Sequence, residues 1–289
     1  MPRAWIGSDD HKDAFCRSFV ETHQAFEPEE IRWPELDGEN LARLKGLPIW
    51  NEAVRTEAAT AMEVQTLGRV EKDSVLADAI ALQGYEEGRH AAILRLLTAR
   101  YEIPVAPFAP PKPPADPLWT FLSTGYGECL DSFFAFGLFA VGKRTQFLPE
   151  TFIEIFDRIV QEEARHILFI VNWAAYVRAR TPAALRPMFD VRRAGTIARQ
   201  IFGHARQALR FGGPSQEGFT MASHSFMEEL SARSFLSTCL EENDRRLAIY
   251  DPRLLRPALV APVARLALRL LPERGARRSV RPAEPPRAA

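Results

Sequence analysis

Residues 105–117 read VAPFAPPKPPADP, and from Pro104 to Pro117 there are seven prolines. Each removes an amide donor and fixes φ near −65°, so the stretch is expected to run extended in a polyproline-like path. At about 3.1 Å per residue it spans about 40 Å, enough to travel the length of a helical bundle. On either side lie two segments with apolar residues at helical spacing. Upstream, one helix is expected from Pro48 to Gly68 and a second from Asp73, a good N-cap, to Arg100. Downstream, a third runs from Pro117 to Gly142 and a fourth, opened by Pro149, to Arg180. Short turns make each pair an antiparallel hairpin. Two hairpins joined by one long crossover differ from an up-down-up-down bundle, whose loops are all short.

Outward from this core, strand signals are sparse, and the fold reads as all-α. Residues 1–46 suggest one helix near Asp10–Ala25 and a Pro-broken cover around Pro28 and Pro34. Further helices are expected over Ala184–Phe211, Met221–Tyr250 and Pro252–Leu271. The organisation is then a single helical domain over 1–272, with the bundle in 48–180, added helices in 181–272, and a Pro- and Arg-rich disordered tail at 273–289. The 289 residues are 46% hydrophobic, with 37 basic and 37 acidic side chains. That balance gives no overall field toward nucleic acid. Cys16, Cys129 and Cys239 form no CxxC pair, and no secretion signal or spanning apolar run is visible, so a cytoplasmic location is the expectation.

Two segments carry the chemistry. Tyr85-Glu86-Glu87-Gly88-Arg89-His90 lies on the second helix and Gln161-Glu162-Glu163-Ala164-Arg165-His166 on the fourth. Both read E-E-x-R-H. Glu and His three residues apart project from one helix face and can bind a common ion, and carboxylate with imidazole suits iron or manganese. Using two of only six histidines in one repeated pattern makes coincidence a poor explanation.

A two-metal bundle needs one further Glu from the first helix of each hairpin, at the depth of the motif on the second. Glu57 and Glu87 are equidistant from residue 72, in the Glu71-Lys72-Asp73 turn; Glu128 and Glu163 are equidistant from the region of Thr145. On the first helix, Glu57 sits in the stripe Trp50, Ala53, Val54, Ala58, Ala61, Val64, where an unpartnered acid is costly. Glu52 and Glu63 fall on the polar face, although the offset between the two motifs would pair Glu52 with Glu128. Glu128 is the only Glu from Pro117 to Gly142, on a helix apolar almost all round and therefore expected to be central. Asp131 is the alternative there.

This set resembles the ferritin-like di-iron carboxylate superfamily, over about residues 48–175. The resemblance implies a ferritin-like four-helix bundle in which Glu57, Glu87 and His90 bind one iron and Glu128, Glu163 and His166 the other, Glu87 and Glu163 tending to bridge. Two Fe ions are implied, with Mn or mixed Fe/Mn compatible. It further implies that Glu86 orients His166, that Glu162 orients His90, and that Arg89 and Arg165 pair with those acids.

The expected activity is di-iron oxidase or oxygenase chemistry with O2 on a small apolar substrate, fed by an external electron donor because no nucleotide fingerprint is present. No catalytic residue beyond the metal ligands is indicated. A homodimer is compatible, and iron storage of the ferroxidase type is the alternative. Small residues near the ligands (Ala53, Ala58, Ala61, Gly88, Gly125, Gly127) either leave volume for a substrate or allow close helix packing, and Phe133, Phe134, Phe136 and Phe139 are read first as core, with the aromatic wall of a substrate channel as the alternative. Leu254–Leu271, punctuated by arginines, could touch a membrane but is read first as docking on its own domain. His204 and His224, on late helices, are read as structural.

Overall fold

The computed structural model describes residues 5–210 and 231–271. The expected tail at 273–289, the start of the late helix at Met221, and His224 lie outside the described residues, as does the side chain of His204. Among the described residues there are nine α-helices and no strands. They are α1 (Asp9–Glu21), α2 (Gly38–Lys45), α3 (Trp50–Val70), α4 (Ser74–Arg100), α5 (Pro117–Arg144), α6 (Glu150–Arg180), α7 (Arg186–Arg210), α8 (Ala232–Ala248) and α9 (Val260–Leu270).

Local chemistry sets the ends. Asp73 accepts from the amides of Val75 and Leu76 to start α4, and Asp116 accepts from Trp119 to start α5, which carries Pro117 in its first turn. Between Arg100 and Pro117 no helix forms, as the prolines require. Pro149 is the cap of α6 and not its first helical residue. Two expectations are corrected. α2 lies in the segment read as irregular, started by Asp37, whose carboxylate accepts from Asn40. The last helix begins only at Val260, because Pro252 and Pro257 keep 251–259 irregular.

α3 packs along α4, and α5 touches α3, α6, α7, α8 and α9, so it sits at the centre. α1 lies across α4 and α6. It is tied there by buried His11, whose Nε2 is 3.1 Å from Asn172 Oδ1; Asn172 in turn bonds the backbone of Leu255 from both sides. One core cluster joins Phe15 and Phe19 of α1 to Val64, Ile80, Phe121, Phe169 and Trp173. The three cysteines are buried free thiols, each pushed by burial up to about 12, so none is available as a thiolate. No helix among the described residues is long and apolar enough to cross a membrane.

Close packing, not open volume, explains Gly125 and Gly137 of α5. A Cβ on Gly125 would fall 2.3 Å from Ile170 Cγ2, and one on Gly137 2.3 Å from Cys239 Sγ. Gly125→Ala is therefore expected to destabilise the fold by about 1–3 kcal/mol, the usual scale of overpacking, measured by denaturant unfolding. A neutral result would mean that α5 and α6 can separate at no penalty.

Candidate metal centre

The two motifs face each other from α4 and α6. His90 Nε2 lies 2.8 Å from Glu162 Oε2, and His166 Nε2 lies 2.9 Å from Glu86 Oε2, so each imidazole is clasped by the acid of the opposite helix. Arg89 donates to Glu162 and Arg165 to Glu86. Each arginine also reaches the N-terminal segment: Arg89 donates to the carbonyls of Gln24 and Phe26, at 3.1 Å each, and Arg165 to that of Phe19, at 2.7 Å. Their guanidinium carbons lie 3.9 Å from the Phe26 ring centroid and 4.5 Å from that of Phe19. The two arginines that pair with the histidines' acids thus also hold the segment covering them.

With each Nε2 engaged, each Nδ1 turns toward the carboxylates. His90 Nδ1 is 3.0 Å from Glu163 Oε1, 3.8 Å from Glu57 Oε2 and 3.9 Å from Glu87 Oε2. His166 Nδ1 is 2.9 Å from Glu87 Oε1 and 3.6 Å from Glu163 Oε2. Both Nδ1 atoms are buried, and these approaches are too oblique for hydrogen bonds. Glu87 and Glu163 each stand beside both imidazoles. Ligand atoms of Glu57, Glu87, His90 and Glu163 all lie within 4.8 Å of one another, close enough to hold a metal ion.

Glu128 enters from α5, and neither of its buried carboxylate oxygens has a hydrogen-bond partner. It stands outside the compact group of four but feels the charges of Glu87, Glu163 and His166. Glu52 is on the surface with Arg55, away from this cluster. Glu63 is not on an open polar face: it is half-buried against α5, accepting from Thr124. Asp131, one turn from Glu128 along α5, is partly exposed.

The electrostatics match a site built for cations. Burial, followed by the charges of Glu163 and Glu87, pushes Glu57 up to about 7, and burial with Glu87 and Glu163 raises Glu128 well above the carboxylate range. Burial would raise Glu163 as well, but the two histidines outweigh it and hold its carboxyl low. It would depress both histidines, yet Glu162, Glu163 and Glu57 lift His90, while Glu87, Glu163 and Glu86 lift His166. Protons on Glu57, Glu128, His90 and His166 therefore offset the buried negative charge. A bound divalent cation would displace such protons, and unpartnered Nδ1 and Oε atoms are the donors such an ion requires. Metal affinity is accordingly expected to rise with pH through neutrality, with proton release on binding. Titration calorimetry in buffers of different ionisation enthalpy reads this directly; affinity that stays flat between about pH 6 and 8 would contradict it.

Two partners lay beyond sequence reasoning. His23, in the loop after α1, places Nδ1 2.5 Å from Glu86 Oε1. Gln83, fully buried one turn before Glu87, donates to it at 3.4 Å. The Gln83 spacing was readable on α4, whereas nothing local marks His23. The aromatic wall is not a wall. Phe136 packs with Cys129, Ile167 and Leu247, Phe133 and Phe134 pack with Cys239 and Ala261, and Phe139 joins a third cluster around Trp50 and Phe152. Space remains elsewhere, since 27% of the Glu57 and 20% of the Glu163 side chain stay open to a water-sized molecule while both histidines are closed.

Comparisons with protein-family models, curated proteins and solved structures gave no match.

Proposed function

We propose that α3 to α6 form a ferritin-like four-helix bundle and that the chain is a non-haem di-iron oxidoreductase of the oxidase or oxygenase type. The observation that carries this reading is the reciprocal pairing of two histidines, each clasped through Nε2 by the opposite helix and each aiming a buried, unpartnered Nδ1 at the same two carboxylates. Glu57, Glu87 and His90 would hold one ion and Glu128, Glu163 and His166 the other, with Glu87 and Glu163 shared. Bound iron would supply the redox equivalents for dioxygen chemistry, and manganese suits the same donors.

The chain's own side chains do the rest. Glu86 and Glu162 fix the tautomer and ring orientation of the histidines. Arg165 and Arg89 donate to those two acids and hold them in place. Phe19 and Phe26, stacked on the guanidinium groups, exclude water from that side, so a small molecule reaches the centre along the Glu57–Glu163 edge. The substrate is small and apolar, and electrons come from an external donor.

A second reading, ferroxidase-type iron handling, gains from one observation: Phe133, Phe134, Phe136 and Phe139 are closed into core clusters instead of lining a channel. The same preparation separates the two. An oxygenase binds two irons per chain and consumes O2 in step with an added organic substrate; a storage protein loads iron well above two and turns over iron alone. Glu57→Ala, Glu128→Ala and His166→Ala are each expected to lower iron content and O2 consumption. Unchanged metal content in all three would remove the di-iron reading altogether.

A further inference from the structure

We propose that α9 and the arginines around it form a docking surface for an anionic lipid bilayer. α9 is held on the protein by its small residues: Ala261 and Ala264 are buried against Phe133, Cys239 and Leu240, and Leu268 packs at the same seam. Arg233 ties down the far end by donating to the carbonyls of Leu268 and Leu271. The opposite face should then be polar. Instead Leu259, Val263, Leu266 and Leu270 are exposed by 48, 62, 56 and 77%. Steps of four, three and four residues put them in one stripe along the helix. Its eleven residues extend about 16 Å, too short to cross a bilayer and suited to lying in its interface.

Charge selects the partner. From Arg253 to Leu271 the described chain has four arginines and no acidic residue, so a protein neutral overall is positive along this segment. Arg265 and Arg269 sit on the exposed side of α9, between the leucines, and Arg265 also pairs with Asp244 of α8 at 2.8 Å. A nucleic acid would satisfy the arginines but leave four apolar side chains facing phosphate and water. A second copy meeting this face about a twofold axis would bring arginine-rich segment against arginine-rich segment. An anionic leaflet accepts both features at once, taking the leucines below its headgroups and the arginines among them.

The test uses the full chain sedimented with vesicles of phosphatidylcholine alone, or of phosphatidylcholine with about one third phosphatidylserine. Binding to the anionic vesicles is expected to exceed binding to neutral ones by about tenfold or more and to fall as salt shortens the screening length. The Val263→Asp, Leu266→Asp double variant, altered only at exposed positions, should lose that binding about tenfold while keeping its helix content and thermal stability. Three results would overturn the proposal. One is no preference for anionic vesicles. Another is a concentration-dependent dimer abolished by the double variant without vesicle binding. The third is binding to duplex DNA as tight as to vesicles and unaffected by that variant.

Discussion

Replacing Glu128 with leucine is expected to raise the stability of the metal-free chain while weakening its metal binding. Both oxygens of Glu128 are buried without a hydrogen-bond partner, so the folded chain bears the desolvation of that carboxyl with no hydrogen bond offsetting it. Exchanging such a group for an apolar side chain of similar volume is commonly worth about 1–4 kcal/mol, or several degrees in the unfolding temperature. The pH dependence has a definite sign. Between the ordinary glutamate value of 4.5 and its raised folded value, the folded chain keeps on Glu128 a proton that the unfolded chain has released. Stability therefore falls as pH rises through that window, and the gain from Glu128→Leu grows over the same range. Calorimetry of chelator-treated protein, paired with elemental analysis after reloading, measures both halves. Glu52→Leu should change neither, because Glu52 is on the surface with Arg55. A Glu128→Leu chain that is less stable and still fully metallated would make Glu128 an ordinary core residue.

The four helices of α3 to α6 and the non-helical stretch between α4 and α5 were legible because the decisive signals are local. Asp73, Asp116 and the proline run act on their own neighbours, and the helix ends fall within two residues of where those signals put them. The reciprocal clasp of His90 and His166 was suggested by the repeated E-E-x-R-H spacing, since two identical motifs on facing antiparallel helices can meet head to tail. What escaped depends on long-range placement. A wheel of α3 assigns Glu63 to solvent because it cannot register that α5 brings Thr124 against it. The phenylalanines of α5 point to every side of an all-round apolar helix, and only the positions of α8 and α9 decide which clusters they enter. His23 comes from a loop with no periodicity, so its approach to Glu86 has no local mark.

Arg165→Leu tests whether the charged layer beside the centre is a structural necessity. Arg165 is 3% exposed at its side chain, donates to Glu86 and to the Phe19 carbonyl, and stacks on the Phe19 ring. Glu86 is fully buried, and Arg165 with His166 holds its carboxyl low against the opposing effect of burial. Without the guanidinium the buried carboxylate loses its closest countercharge and a backbone carbonyl loses its donor, a change that typically costs about 3–5 kcal/mol. A loss below about 1 kcal/mol would mean that water already screens the layer. Adding Glu86→Leu should return part of the lost stability, because the buried carboxylate left with fewer countercharges goes with it. The same double variant removes the acceptor from His166 Nε2, so metal affinity should fall about 10–100-fold even as the fold recovers. Stability and affinity moving in opposite directions would separate the orienting role of Glu86 from its part in the buried ion pair; if both recover together, Glu86 does not orient His166.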